Sequence, residues 1–196
     1  MKRCIPTIIG LMMLAAIPAH AEVPAWEFDR EHSSVFFDIK HIYYITRGVF
    51  EDFSGEFRFD PNRLEDSRFE ITIQTGSVNT YHRKRDRHLR SEDFLDTDAF
   101  PVMTFKSEEI RHLGGENYEA VGQLIIKDVS REVILPFRYL GMRDNPFMKG
   151  KIVAGFESSK TIDRLEYNVG SGKYYEMGVV GKDVNILISL EMIRDK

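Results

Sequence analysis

The sequence predicts an all-β protein built on an antiparallel sheet, and three observations predict it. Apolar and polar residues alternate with a period of two along most of the chain, the mark of half-buried strands. Turn residues bound the alternating runs, as at Asp60-Pro61-Asn62, Gly114-Gly115, Lys127-Asp128 and Asp144-Asn145-Pro146. Helical character is confined to one short stretch, too little to cover both faces of a parallel sheet.

The runs add up to about eight strands. Val35/Phe37/Ile39 and Phe57/Phe59 come first, and then Phe69, Ile71, Ile73 and Thr75 alternate with Arg68, Glu70, Thr72 and Gln74. Met103/Phe105 and Leu124/Ile126 follow, then Val133, Leu135, Phe137 and Tyr139, then Ala154/Phe156. Val184, Ile186, Ile188, Leu190 and Met192 form the most regular set. Residues 80–97 are densely charged and predict one or two short helices, with Thr80 and Ser91 as N-caps. No internal repeat, low-complexity tract or long linker divides the chain, so one domain is expected. An eight-strand antiparallel sheet folds into a sandwich or closes into a barrel, and the pattern leaves both open.

The N-terminus predicts export. Met1-Lys2-Arg3 is a positive start, Cys4 to Ala19 is uncharged and mostly apolar, and Ala19-His20-Ala21 is a small-x-small cleavage pattern. A membrane anchor needs about 20 apolar residues, and His20, Glu22 and Pro24 arrive too early. The expectation is a signal peptide at residues 1–21, a mature domain at 22–196 and a periplasmic location. Cleavage removes the only cysteine, Cys4, which has no lipobox around it. A chain of this length buries a full core without disulfides.

The net charge of −4 becomes more negative once Lys2 and Arg3 are removed. That balance argues against nucleic acid as a partner, because such affinity comes from phosphate neutralisation, and against firm docking on an anionic membrane. With 30% charged residues, short connections and a charged end at Ile193-Arg194-Asp195-Lys196, a membrane-spanning barrel is not expected.

Motifs for catalysis are absent. His32, His41, His82, His88 and His112 lack the spacing of a metal site. There is no Gly-x-Ser-x-Gly elbow and no nucleophilic thiol. Gly170-Ser171-Gly172-Lys173 lacks the first glycine and the final Ser or Thr of a phosphate loop, and predicts a turn. The most conspicuous segment is His82-Arg83-Lys84-Arg85-Asp86-Arg87-His88-Leu89-Arg90. As a helix it places Tyr81, Arg85, His88 and Leu89 on one face, and His82, Asp86 and Arg90 on another. Such a run is ordinarily a solvated surface with Asp86 paired to Arg90; alternatively Arg85 and His88 stand at a barrel mouth and meet a polar or anionic head group. The 14 Phe and 8 Tyr fit a solid core or a barrel holding a long apolar ligand, and composition does not separate these.

The chain resembles the YceI-like family of exported polyisoprenoid-binding proteins along nearly the whole of residues 22–196. The resemblance is carried by Trp26-Glu27-Phe28-Asp29, His32-Ser33-Ser34-Val35, Lys40-His41, Gly48-Val49-Phe50 and Phe53-Ser54-Gly55. The most specific stretch is Arg85-Asp86-Arg87-His88-Leu89-Arg90-Ser91-Glu92-Asp93-Phe94, continuing to Phe100-Pro101-Val102-Met103-Thr104-Phe105-Lys106-Ser107. Gly122-Gln123-Leu124-Ile125-Ile126-Lys127-Asp128-Val129-Ser130 and Ile162-Asp163-Arg164 complete it. Glu166-Tyr167-Asn168 departs from the family's usual Asp-Phe-Gly. The resemblance implies a lipocalin-like antiparallel barrel of eight strands with an apolar tunnel closed at one end. It also implies a binder or carrier of polyisoprenoids or isoprenoid quinones and not an enzyme, with no catalytic cofactor.

On that expectation the inward parity of the strands nominates Phe37, Ile39, Phe57, Phe59, Ile71, Ile73, Phe105, Ile126, Phe137, Phe156, Ile186 and Ile188 as tunnel wall. Phe50, Phe94 and Phe100 are nominated to close the ends, and Arg85 and His88 to meet the head group. The rivals are an enzyme on the same lipid class, with His88 and Asp86 as an acid–base pair, and a stress-responsive protein with a filled core. The sequence leaves a homodimer open and does not give the oligomeric state.

Overall fold

The computed structural model describes residues 22–196, so the predicted signal peptide lies outside the described residues. Eleven strands share one antiparallel sheet: β1 (Ala25–Phe28), β2 (Ser34–His41), β3 (Tyr44–Phe50), β4 (Phe53–Arg58), β5 (Arg68–Gln74), β6 (Val78–Asn79), β7 (Val102–Gly114), β8 (Asn117–Ile126), β9 (Val129–Asp144), β10 (Lys151–Asp163) and β11 (Val180–Asp195). Two short helices, α1 (Arg83–Arg90) and α2 (Lys173–Glu176), lie between strands. No helix among the described residues is long and apolar enough to cross a membrane.

Eight strands close a ring in the order β1-β4-β5-β7-β8-β9-β10-β11, with β1 returning to β11. Within the ring every strand has a neighbour on each side, as in a closed barrel. The predicted count holds, but the membership differs. The Val35/Phe37/Ile39 run is β2, which branches from β11 and carries β3 and β6, while β1 completes the ring. The long β11 divides its edge between two partners. Phe28 of β1 pairs with Met192, and β2 takes over from Ser34↔Ser189 to His41↔Val180. Ser33 bridges the gap, its hydroxyl donating to the Glu191 carbonyl and accepting from the Glu191 N–H. That leaves neither backbone group orphaned where the strand changes neighbour.

The two ends of the molecule are filled differently. At the β1 end, Trp26, Phe57, Phe59, Phe69, Phe105, Tyr118, Phe137 and Phe156 pack into one solid cluster with Met192. Phe57 stacks on Phe69 at 4.0 Å and meets Phe156 edge-on at 4.8 Å. The Trp26 indole N–H donates to the Phe59 carbonyl at 3.0 Å, so the one buried polar donor of that ring is satisfied. At the β2–β3 end only smaller clusters form, around Phe37, Val78 and Leu95 and around Met103, Ile126 and Tyr167.

The helices also differ from the sequence prediction. His82 caps α1, its ring Nδ1 accepting from the Arg85 N–H, and Ser91 ends that helix and starts none. Thr80 instead donates its N–H and its hydroxyl to the Asp86 carboxylate. The second helix is α2, just beyond the glycine turn at 170–172, where the sequence predicted only a turn.

Candidate functional site

Between the smaller clusters lies a cavity of about 490 Å³. Its apolar wall comes from inward positions of β2 (Phe37, Ile39), β7 (Met103), β8 (Ile126), β10 (Ile162) and β11 (Val184, Ile186), with Phe50 of β3 and Val78 of β6. Leu89 of α1, Val180 of β11, and Phe94, Leu95, Val169 and Val179 from the connecting loops complete it. Opposite the large side chains of β2, strand β3 presents small inward groups, and the Phe37 ring lies over one of them. Gly48 pairs with Phe37 across the ladder, and buried Thr46 pairs with Ile39.

The polar part of the lining is one-sided. His41, His82, Lys84, Arg85, His88 and Arg164 line the cavity, and no Asp or Glu does. In a chain of net charge −4, Lys84, Arg85 and Arg164 together make a local concentration of cations. Arg85 is held by Thr80, its Nε donating to the hydroxyl and its Nη2 to the carbonyl, each at 2.7 Å. His88 Nε2 lies 2.9 Å from Asp93 Oδ2, and its ring meets Phe94 edge-on at 5.0 Å.

Arg164 is the most constrained cation. It is only 3% exposed, its Nε donates to the Gly181 carbonyl and its Nη1 to the Val169 carbonyl, and its buried Nη2 has no hydrogen-bond partner. Burial pushes the guanidinium below its usual value, opposed by the charge of Asp163. That carboxylate is committed elsewhere, to the Lys182 ammonium at 2.7 Å and the Leu165 N–H at 3.0 Å. A buried cation without its own counter-ion is costly to the fold, and an acceptor brought by a ligand offsets that cost.

Of the nominated residues, Phe37, Ile39, Phe50, Phe94, Ile126, Ile186, Arg85 and His88 line the cavity. Phe57, Phe59, Phe105, Phe137 and Phe156 do not: they point inward but fill the aromatic cluster, with Ile71 packed against it. Alternation reports which face a side chain takes and says nothing of its height along the barrel, so it does not separate the packed end from the cavity. Ile73 packs against the Met103–Ile126–Tyr167 cluster without reaching the cavity. Ile188 borders a separate, more open depression with Phe137 and Arg138. Phe100 lies under the Lys127 ammonium, 5.4 Å from its ring centre.

Arg164 was missed as a site residue, although it stands in the quoted Ile162-Asp163-Arg164 motif. Val184 was missed although it shares the parity of Ile186. The Glu166-Tyr167-Asn168 departure proves conservative in space, since Tyr167 is buried and Asn168 takes the left-handed conformation (φ 56°) that Gly or Asn tolerates.

The proposed acid–base pair does not form. Asp86 is buried against Thr80, accepting from its N–H at 2.8 Å and from its hydroxyl, while His88 pairs with Asp93. Linear spacing also hid one cluster: Asp29, His32 and Glu191 come within 4.8 Å of one another. Asp29 and His32 already satisfy each other at 2.9 Å.

The YceI-like domain model matches residues 26–192. Protein YceI of Escherichia coli is 33% identical over 193 residues, 97% of this chain and 96% of the relative. A UPF0312 protein of Azotobacter vinelandii is 30% identical over 187 residues, 95% and 94% respectively. Among solved structures, the Campylobacter jejuni YceI protein superposes with a TM-score of 0.69 at 26% identity, over 95% of this chain and 100% of that one. Burkholderia cenocepacia BcnA gives a TM-score of 0.74 at 24% identity over 86% and 99%, and a polyisoprenoid binding domain from Saccharophagus degradans 0.61 at 13% over 86% and 96%. By the matched family model and by full-length relatives, the chain belongs to the YceI-like family.

Proposed function

We propose that the protein is an exported periplasmic binder or carrier of an isoprenoid lipid, not an enzyme, holding the tail in the apolar cavity and the head group against the basic residues. The observation that carries this is the cavity itself: an apolar volume of about 490 Å³ lined by Lys84, Arg85, Arg164 and three histidines, with no Asp or Glu. The barrel of the Saccharophagus degradans domain, named for polyisoprenoid binding, supports the ligand class. Each buried methylene contributes about 0.8 kcal/mol, offset by the cost of ordering the tail. The tail therefore sets affinity. Arg164, Arg85 and Lys84 set head-group preference, and they favour an anionic group such as a phosphate over a neutral quinone ring.

Export rests on Met1-Lys2-Arg3, the apolar stretch and Ala19-His20-Ala21. N-terminal sequencing of material secreted by a bacterial host tests it, with Glu22 as the expected first residue and Met1 as the contrary result. Organic extraction of the purified protein followed by mass spectrometry tests the ligand. Unmodified isoprenoid lipid supports a binder, a converted lipid supports an enzyme, and no lipid supports a filled core.

A further inference from the structure

We propose that the β2–β3 hairpin tip and helix α1 together form a docking surface for an anionic lipid bilayer, seating the cavity mouth at the level of the head groups. Four consecutive apolar residues are exposed at the tip: Ile42 at 46%, Tyr43 at 99%, Tyr44 at 69% and Ile45 at 53%. Folding does not explain them. His41 pairs with Tyr44, so Ile42-Tyr43 is a two-residue hairpin turn, a position where Asn-Gly is favoured. Ile42 instead holds a φ of 55°, which a β-branched side chain resists. The tip thus keeps large apolar side chains in water at a conformational cost.

The tip is continuous with the cavity. His41 and Thr46, on either side of it, line the cavity, and the Ile42 N–H donates at 2.9 Å to the carbonyl of Val179, another lining residue. Charge identifies the occupant. Helix α1 borders the same cavity and presents exposed Arg83, Lys84 and Arg87, while its single acid, Asp86, is buried. Aromatic and aliphatic tips beside basic residues suit the head-group region of an anionic membrane. A second copy suits it poorly, because a two-fold contact through this surface brings the basic helices of both chains together. The net charge of −4 makes the docking weak and reversible.

The test uses the purified chain and vesicles of phosphatidylcholine with about one-quarter phosphatidylglycerol at low salt. Sedimentation is expected to show binding that is lost on pure phosphatidylcholine and at roughly 0.5 M salt. Tyr43→Trp is expected to shift its emission to the blue on binding, against a constant signal from buried Trp26. Tyr43→Asp with Ile45→Asp, or Arg83→Glu with Arg87→Glu, is expected to lower binding roughly tenfold or more with an unchanged melting temperature. None of these four residues lines the cavity. No binding to anionic vesicles, binding indifferent to these substitutions, or a wild-type dimer that the tip variants dissociate would overturn the proposal. The purpose of docking rests on the lipid-carrier function, but vesicle binding is measured without added ligand. Docking without extractable lipid removes the carrier alone, and extractable lipid without docking removes the docking surface alone.

Discussion

Phe37 lies across Gly48, its partner on β3, so closely that a β-carbon at position 48 would fall 2.3 Å from the Phe37 Cζ. Thr80 Cγ2 closes the space beside it at 2.9 Å. Gly48→Ala must therefore displace the ring, and the cavity is its open side. The expected result is a loss of about 1–3 kcal/mol with less bound lipid, read by denaturant unfolding and lipid quantification. A variant as stable and as fully loaded as wild type would remove Phe37 from the cavity wall.

The two ends of the barrel predict opposite responses to volume. Phe156 sits 3% exposed among the rings of Phe57, Phe59 and Tyr139, so Phe156→Ala is expected to cost about 3–5 kcal/mol. Ile186 faces the cavity, so Ile186→Trp is expected to cost less than Phe156→Ala and to lower lipid occupancy. Equal destabilisation by both, with no lipid in wild type, means a barrel packed throughout.

Arg164 predicts head-group choice. Arg164→Gln removes the buried charge and is expected to reduce the preference for farnesyl phosphate over farnesol by roughly tenfold. Titration of both ligands into wild type and variant measures the ratio. If both affinities fall equally with the melting temperature, Arg164 only clamps the Gly181 and Val169 carbonyls.

Much of the fold was legible in the sequence because half-buried strands alternate, and the turns at Gly114-Gly115 and Lys127-Asp128 were marked by their residue types. Strands β1, β3 and β6 were not. β6 has two residues, too few to show a period, and β3 is masked by the exposed Tyr44 and Ile45. Of the grouped Tyr81, Arg85, His88 and Leu89, the last three line the cavity; Tyr81 precedes the helix and is exposed, and His82, assigned to another face, lines the cavity too. The division into packed and hollow ends depends on height along the barrel, which no one-dimensional pattern carries. Nothing in the local sequence marks Arg164 as buried, because its hydrogen bonds go to the carbonyls of Val169 and Gly181, one of them on another element.

Asp86 predicts a pH response. Burial pushes its carboxyl up, but hydrogen bonds from Thr80 and the charge of Arg90 outweigh it and hold the folded value below the ordinary 3.8. Its contribution is therefore fully present above that value and is lost as pH falls through the lower, folded one. Asp86→Asn is expected to cost about 1 kcal/mol at neutral pH, the difference between charged and neutral hydrogen bonds. The gap from wild type should narrow below about pH 4, and chemical melts across that range measure it. A gap that is constant with pH contradicts the role of the charge.

The account turns on what fills the cavity, and mass spectrometry of lipid extracted from wild type and Ile186→Trp, purified side by side, tests it most directly. The account predicts an unmodified isoprenoid lipid in wild type and a clearly lower amount in the variant, with both proteins folded. No lipid in wild type, or equal lipid in both, would contradict it.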